Sequence, residues 1–203
     1  MSQQVFLVPT GTANLASVKA AFRRAGAEPV MLSQSKQIRD VRSLVLPGVG
    51  AFGAAMTSLE EQGWVGAIRE RIQQGQPTFA ICLGLQILAE KSEESPSSSG
   101  LSIVQGTVER FPDSLRVPQF GWSEVVAPEG SRFLRSGYAY FANSYCLRTP
   151  PKGWEVAMSQ YGGSYVAAMS RGDVLACQFH PELSGPWGQE LIAGWLQATQ
   201  GGQ

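Results

Sequence analysis

One histidine, His180, stands among the 203 residues, and the three cysteines, Cys82, Cys146 and Cys177, are widely spaced with no CxxC pair. An odd, scattered set of this kind argues against a disulfide framework and a thiolate zinc site, and a lone histidine argues against a His-based metal centre. Neither sign of charge is in excess, with 16 Lys and Arg against 16 Asp and Glu. No block of like charge occurs either, so nucleic acid and anionic membrane are poor partners for this chain. The longest apolar stretches, around 43–56 and 77–89, are broken by Gly or Pro and fall well below the roughly 18 residues of a membrane span. The opening MSQQVFLVPTG has no basic n-region and no small-residue cleavage site, which predicts a cytoplasmic protein without a signal peptide. Internal repeats are absent.

What is present reads as an α/β protein, a single domain over 1–203 built on an open mixed sheet flanked by helices. Strand-like runs VFLVP (5–9), EPVML (28–32), SLVLPG (43–48) and PTFAI (77–81) alternate with helical spacing in the first half, as parallel βαβ units do. Leu15, Val18, Phe22 and Ala25 form one apolar helix face that stops at Gly26, and Val65, Ile68 and Ile72 form another that ends near Gly75. A helix is expected from about Leu83 to Lys91, and a last one near 187–198 carrying Leu191, Ile192, Trp195 and Leu196. SEESPSSSG (92–100) marks a surface loop. Beyond it, short runs near 101–111, 117–127, 138–142, 164–170 and 174–179 suggest antiparallel additions to the sheet.

The stretch FAICLGLQIL (79–88) carries the first chemical signal. A strand ending at Ile81 and a helix beginning near Leu83 leave Cys82 on the sharp turn between them, as in a nucleophile elbow. Gly84 keeps that turn free of a side chain, and the helix N-terminus favours an anion there. Taken alone, a cysteine in an apolar run is more often a small core residue. VLACQFHPEL (174–183) changes that balance: His180 lies at the end of a strand with Glu182 two residues on, and two residues along an extended chain return to the same face. A cysteine, a histidine and an orienting carboxylate form the set expected for acyl transfer. LPGVG (46–50), with Gly48 and Gly50, can aim or withhold a backbone N–H toward an oxyanion, and Leu83 N–H supplies a second donor; alone, PGVG would be only a tight turn. Cys146 and Cys177 read as core, having no activating neighbourhood.

The ICLGLQIL elbow and the FHPE segment resemble the class I, or Cys-His-Glu, glutamine amidotransferases, and the similarity runs over most of the chain. The Asn14 segment, LPGVGAFGAAM (46–56), VPQFGW (117–122) and YFANSYC (140–146) are similar to the branch of that family that serves histidine biosynthesis. The resemblance implies Cys82 as nucleophile, His180 as general base and then acid, and Glu182 as its orienter. It implies an oxyanion hole at Val49 and Leu83, with Gly50, Gln86, Ser144 and Tyr145 holding the substrate L-glutamine. No cofactor or metal is implied. A (β/α)8 cyclase subunit is the implied partner, joined as a heterodimer and receiving ammonia through its barrel. Ala80, Gln119, Asn143 and Leu183 stand where the family commonly has Gly, His, His and Lys. Three alternatives remain open here: a glutaminase for another acceptor such as pyridoxal phosphate synthesis, a non-catalytic partner-binding subunit, and a cysteine hydrolase of the peptidase type.

Overall fold

Leu44, Val45 and Leu46 expose none of their surface, and Phe79, Ala80 and Ile81 almost none, the burial that a strand covered on both faces requires. The computed structural model, which describes residues 3–11 and 15–199, places both runs in the middle of a seven-stranded sheet. The first half supplies β1 (Gln3–Leu7), α1 (Leu15–Arg24), β2 (Ala27–Met31), β3 (Leu44–Leu46), α2 (Phe52–Glu61), α3 (Trp64–Gln73), β4 (Thr78–Ile81) and α4 (Leu83–Gln86). The second half supplies β5 (Lys91–Ser92), β6 (Thr107–Arg110), β7 (Gln119–Val125), β8 (Gly137–Asn143), β9 (Tyr145–Leu147), β10 (Glu155–Gln160), β11 (Ser164–Arg171), β12 (Val174–Cys177) and α5 (Gly185–Ala198). The main sheet runs in the order β10-β11-β12-β4-β3-β1-β2.

Alternate side chains along each strand sort into two cores. Val45, Phe79, Ile81 and Leu175 pack with Phe22 of α1 and Trp195 of α5 on one face. Leu44, Leu46, Ala80 and Ala176 pack with Met56 of α2 and Ile68 of α3 on the other. Helices therefore cover both sides of the sheet. None of the described helices is long and apolar enough to cross a membrane.

Several expectations need correction. The 174–179 run is not an antiparallel addition: β12 pairs in parallel with β4, Ala176 opposite Ala80, and so returns to the centre of the sheet. Antiparallel extension is confined to β11 and β10. The runs near 117–127 and 138–142 form a separate two-stranded ribbon, β7-β8, and the 101–111 run contributes only β6 to a three-stranded sheet with β5 and β9. The helix expected to reach Lys91 is one turn long. Its continuation is pre-empted by the 101–104 segment, whose N–H groups bond the carbonyls of Ile87, Leu88 and Ala89 at 2.7–3.1 Å. Helix α2, unforeseen, has its buried Phe52, Ala55, Met56 and Leu59 at helical spacing, a signal masked by the adjoining Gly-rich apolar run. Asn14 lies outside the described residues.

Candidate active site

The carboxyl ends of β4 and β12, neighbours in the sheet, set Cys82 and His180 at one edge of the structure. Cys82 has φ 54° and ψ −108°, a left-handed conformation that costs a non-glycine residue on the order of 1–3 kcal/mol and persists only where the surroundings enforce it. They do so here. Cys82 N–H donates to the Cys177 carbonyl at 2.7 Å, and the Cys82 carbonyl accepts from Leu85 N–H at 2.9 Å. A Cβ on Gly84 would lie 2.2 Å from the Leu46 carbonyl oxygen, and one on Gly48 2.6 Å from Leu83 Cβ. Only glycine at these two positions lets the elbow sit this close to β3 and the loop after it. Only one helical turn lies behind Cys82, so the macrodipole there is small.

His180 is fixed from its backbone: its N–H donates to the Tyr140 carbonyl of β8 at 2.9 Å, and its carbonyl accepts from Ser184 Oγ at 2.7 Å. The chain does not run on extended to Glu182 as expected. Pro181–Leu183 form a 3-10 turn, closed by Leu183 N–H on the His180 carbonyl at 3.0 Å. That turn folds Glu182 back, and its Oε1 lies 2.9 Å from His180 Nδ1, both side chains buried. Burial is the largest single influence on the imidazole and favours its neutral form, but hydrogen bonds to Cys82 and Glu182 and their negative charge together outweigh it. The His180 pKa is raised to about 10. At neutral pH the ring is therefore an imidazolium, with Nδ1 on the carboxylate and Nε2 left for the thiol side.

A cleft of about 330 Å³ opens in front of this pair. Val49, Gly50, Cys82, Leu83, Gln86, Ser144, Tyr145 and His180 all line it, and Glu182 stands behind the imidazole. The structure thus brings all nine candidate residues together. In the conformation observed, however, Leu83 N–H donates to the Gly48 carbonyl at 3.3 Å, so one expected oxyanion donor is engaged by the very loop that carries Val49. Gly50, at φ 110°, gives that loop a backbone conformation open essentially to glycine alone.

Two polar residues at the site, Glu94 and Gln178, escaped the sequence reading, and a third, Asn143, was noted there only as a departure from the family pattern. Glu94 lines the cleft while its Oε2 accepts from Phe52 N–H at 2.6 Å, tying the 92–100 loop to the start of α2. Asn143 also lines the cleft and donates from Nδ2 to the Tyr145 carbonyl at 3.0 Å. Gln178 is wholly buried, with Nε2 3.7 Å from Cys82 Sγ. A polar residue inside an apolar strand end, as in ACQFH, was the available signal. Cys146 and Cys177 are buried and free, as expected. Burial pushes the Cys146 thiol up to about 12 and Cys177 well above its ordinary value.

A family model described as glutamine amidotransferase class-I matches residues 10–198. Among curated relatives, the imidazole glycerol phosphate synthase subunit HisH of Symbiobacterium thermophilum is 36% identical, over 95% of this chain and 92% of its own length. The protein of the same name from a Synechococcus species is 40% identical, over 91% of this chain and 88% of its own. A crystal structure titled as a glutamine amidotransferase superposes with a TM-score of 0.77 at 24% identity, covering 97% of this chain and 98% of that one.

Proposed function

The chain belongs to the class I glutamine amidotransferases, and from that premise we propose that it is the glutaminase subunit of an imidazole glycerol phosphate synthase. It hydrolyses glutamine to glutamate and ammonia and passes the ammonia to a (β/α)8 cyclase subunit, which forms imidazole glycerol phosphate and an aminoimidazole carboxamide ribotide in histidine biosynthesis. The observation that carries the glutaminase reading is Cys82, held at φ 54° on its elbow opposite the 2.9 Å His180–Glu182 pair.

The reaction follows from that geometry in two halves. Cys82 thiolate attacks the side-chain carbonyl carbon of glutamine, forming a C–S bond and a tetrahedral oxyanion. With its pKa raised to about 10, His180 begins as the acid, the reverse of the base-then-acid order that the resemblance implies. Steadied by Glu182, it gives its proton to the departing nitrogen, the C–N bond breaks, and ammonia and a glutamyl thioester remain. The neutral ring then takes a proton from water, which attacks the thioester and releases glutamate and the thiolate. Gly50 and Gln86 lie against the substrate, and Ser144 and Tyr145 hold its amino-acid end. Glu94 adds a carboxylate on the cleft wall, a natural counter-charge for the substrate ammonium.

Ammonia set free in water would be protonated and lost, so a sealed contact with the acceptor enzyme is a chemical requirement. The β7-β8 ribbon next to the cleft presents a suitable face: Phe120, Trp122 and Tyr138 are more than half exposed, and Leu183, beside Glu182, is 46% exposed. Such an apolar group on one surface is typical of a protein contact. The Leu83–Gly48 hydrogen bond gives the partner something to switch. Docking that turns the Val49 loop so that both donors face the cleft restores the oxyanion site, and one such donor is worth roughly 10²–10³ in rate. Glutamate release should therefore be slow for the chain alone and rise by about that factor with a purified cyclase subunit and its ribonucleotide ligand. A free chain already turning over at the rate of the complex would refute the switch, and continued silence with the cyclase would refute the choice of partner.

A further inference from the structure

Among the described residues, the amide of Gln178 hydrogen-bonds the nucleophilic sulfur and is not used by the triad. Its polarity can be read without seeing hydrogens, because the chain of contacts ends on an atom that only accepts. The Tyr145 carbonyl is 2.9 Å from Gln86 Nε2, so Gln86 must turn its NH₂ group that way. The same nitrogen lies 3.0 Å from Gln178, which must answer with its oxygen. Gln178 then has only its NH₂ group to offer Cys82 Sγ, 3.7 Å away. A donor aimed at sulfur suits a thiolate, a strong acceptor, far better than a thiol, a weak one.

We propose that Gln178 is a positioning residue for the Cys82 thiolate, its N–H aimed at the sulfur by an amide relay through Gln86 that is anchored on the Tyr145 carbonyl. The inference rests on the reading of Cys82 as nucleophile and adds to it a second support for the anion, tied through Gln86 to the end of the elbow helix itself. Adjacent residues of β12 and its end then hold both halves of the nucleophile: the Cys177 carbonyl takes the Cys82 backbone N–H at 2.7 Å, and Gln178 takes its side chain. Gln178 has no exposed surface, so water cannot replace the lost donor without opening the core. The relay also limits Gln86. Both hydrogens of its amide are occupied, leaving Oε1 as the atom it can turn to substrate, so Gln86 meets glutamine as an acceptor from an N–H group. The other titratable groups around the sulfur are His180 and Glu182 beyond β12, Glu94 and Tyr145 on the cleft wall, and Cys177, kept as a thiol by burial.

The test is the rate of Cys82 alkylation by iodoacetamide as a function of pH, read by mass spectrometry of the Cys82 peptide, in the full-length chain and in Gln178→Met and Gln178→Glu. Methionine keeps the volume and removes the donor. Glutamate keeps the acceptor for Gln86 and puts negative charge beside the sulfur. The pH of half-maximal alkylation should move up by about one unit in Gln178→Met, a tenfold loss of reactive form below it, and further in Gln178→Glu. With the cyclase present, kcat for glutamine should fall about tenfold in Gln178→Met while KM stays within about threefold, as for a group that acts on the nucleophile. If only one variant folds, its profile alone decides. Profiles that coincide with wild type, even with a lowered melting temperature, would overturn the proposal and leave Gln178 a packing residue. A wild-type chain with no adduct at Cys82 would overturn the nucleophile reading and the relay with it, a failure distinguishable from the first because it precedes any change at Gln178.

Discussion

Cys82→Ser should release glutamate from glutamine at less than about 10⁻⁴ of the wild-type rate, measured with the cyclase partner present. The substitution removes one polarisable atom and leaves its surroundings unchanged. A serine hydroxyl in the same place stays protonated beside an imidazolium, so no nucleophile forms. The residue is only 7% exposed, and the exchange of sulfur for oxygen barely alters its volume, so the thermal melting curve and the affinity for the partner should match wild type. Retention of more than a few per cent of activity would remove Cys82 from the mechanism.

The next largest loss is expected for His180→Asn, by about 10³–10⁴ in kcat, since the proton donor to the leaving nitrogen disappears and the chain holds no second histidine. The same substitution has a pH signature in stability. The His180 pKa is raised in the folded protein to about 10 from an ordinary value of 6.5, so the folded state binds the proton more tightly than the unfolded chain. The stabilisation is complete below pH 6.5 and is lost as pH rises through about 10. Wild type should thus lose unfolding free energy across that interval while His180→Asn changes less, as denaturant titrations at several pH values would reveal. Parallel curves for the two proteins would place the charge elsewhere.

The parts of the site that could be read from sequence are those built from neighbours in the chain. A buried strand ending at Ile81 and a glycine at 84 define the elbow within four residues, and the His180–Glu182 pair is only two apart. Its contact survived even though the backbone turns where an extended chain was expected: His180 keeps an extended conformation at the head of the 3-10 turn, and Glu182 Oε1 still reaches its Nδ1 at 2.9 Å. The parts that were missed depend on distance. Gln178 meets Gln86 across 92 positions, and Glu94 meets Phe52 across 42; no periodicity records such pairings. The length of α4 was misjudged for the same reason. Ile87, Leu88 and Ala89 have good helical composition, yet a segment arriving from 101–104 takes their carbonyls. The place of β12 beside β4 follows from the packing of Ala176 against a core that the first half of the chain assembles, and its own residues say only that it is buried.

The measurement that bears most directly on the central claim is labelling by 6-diazo-5-oxo-norleucine, a glutamine mimic that traps an activated nucleophile, followed by peptide mass spectrometry. One adduct per chain on Cys82, suppressed by glutamine and absent after Cys82→Ser, is the predicted result. No adduct, or one on Cys146 or Cys177 in its place, would contradict the account and leave a fold of this family without its chemistry.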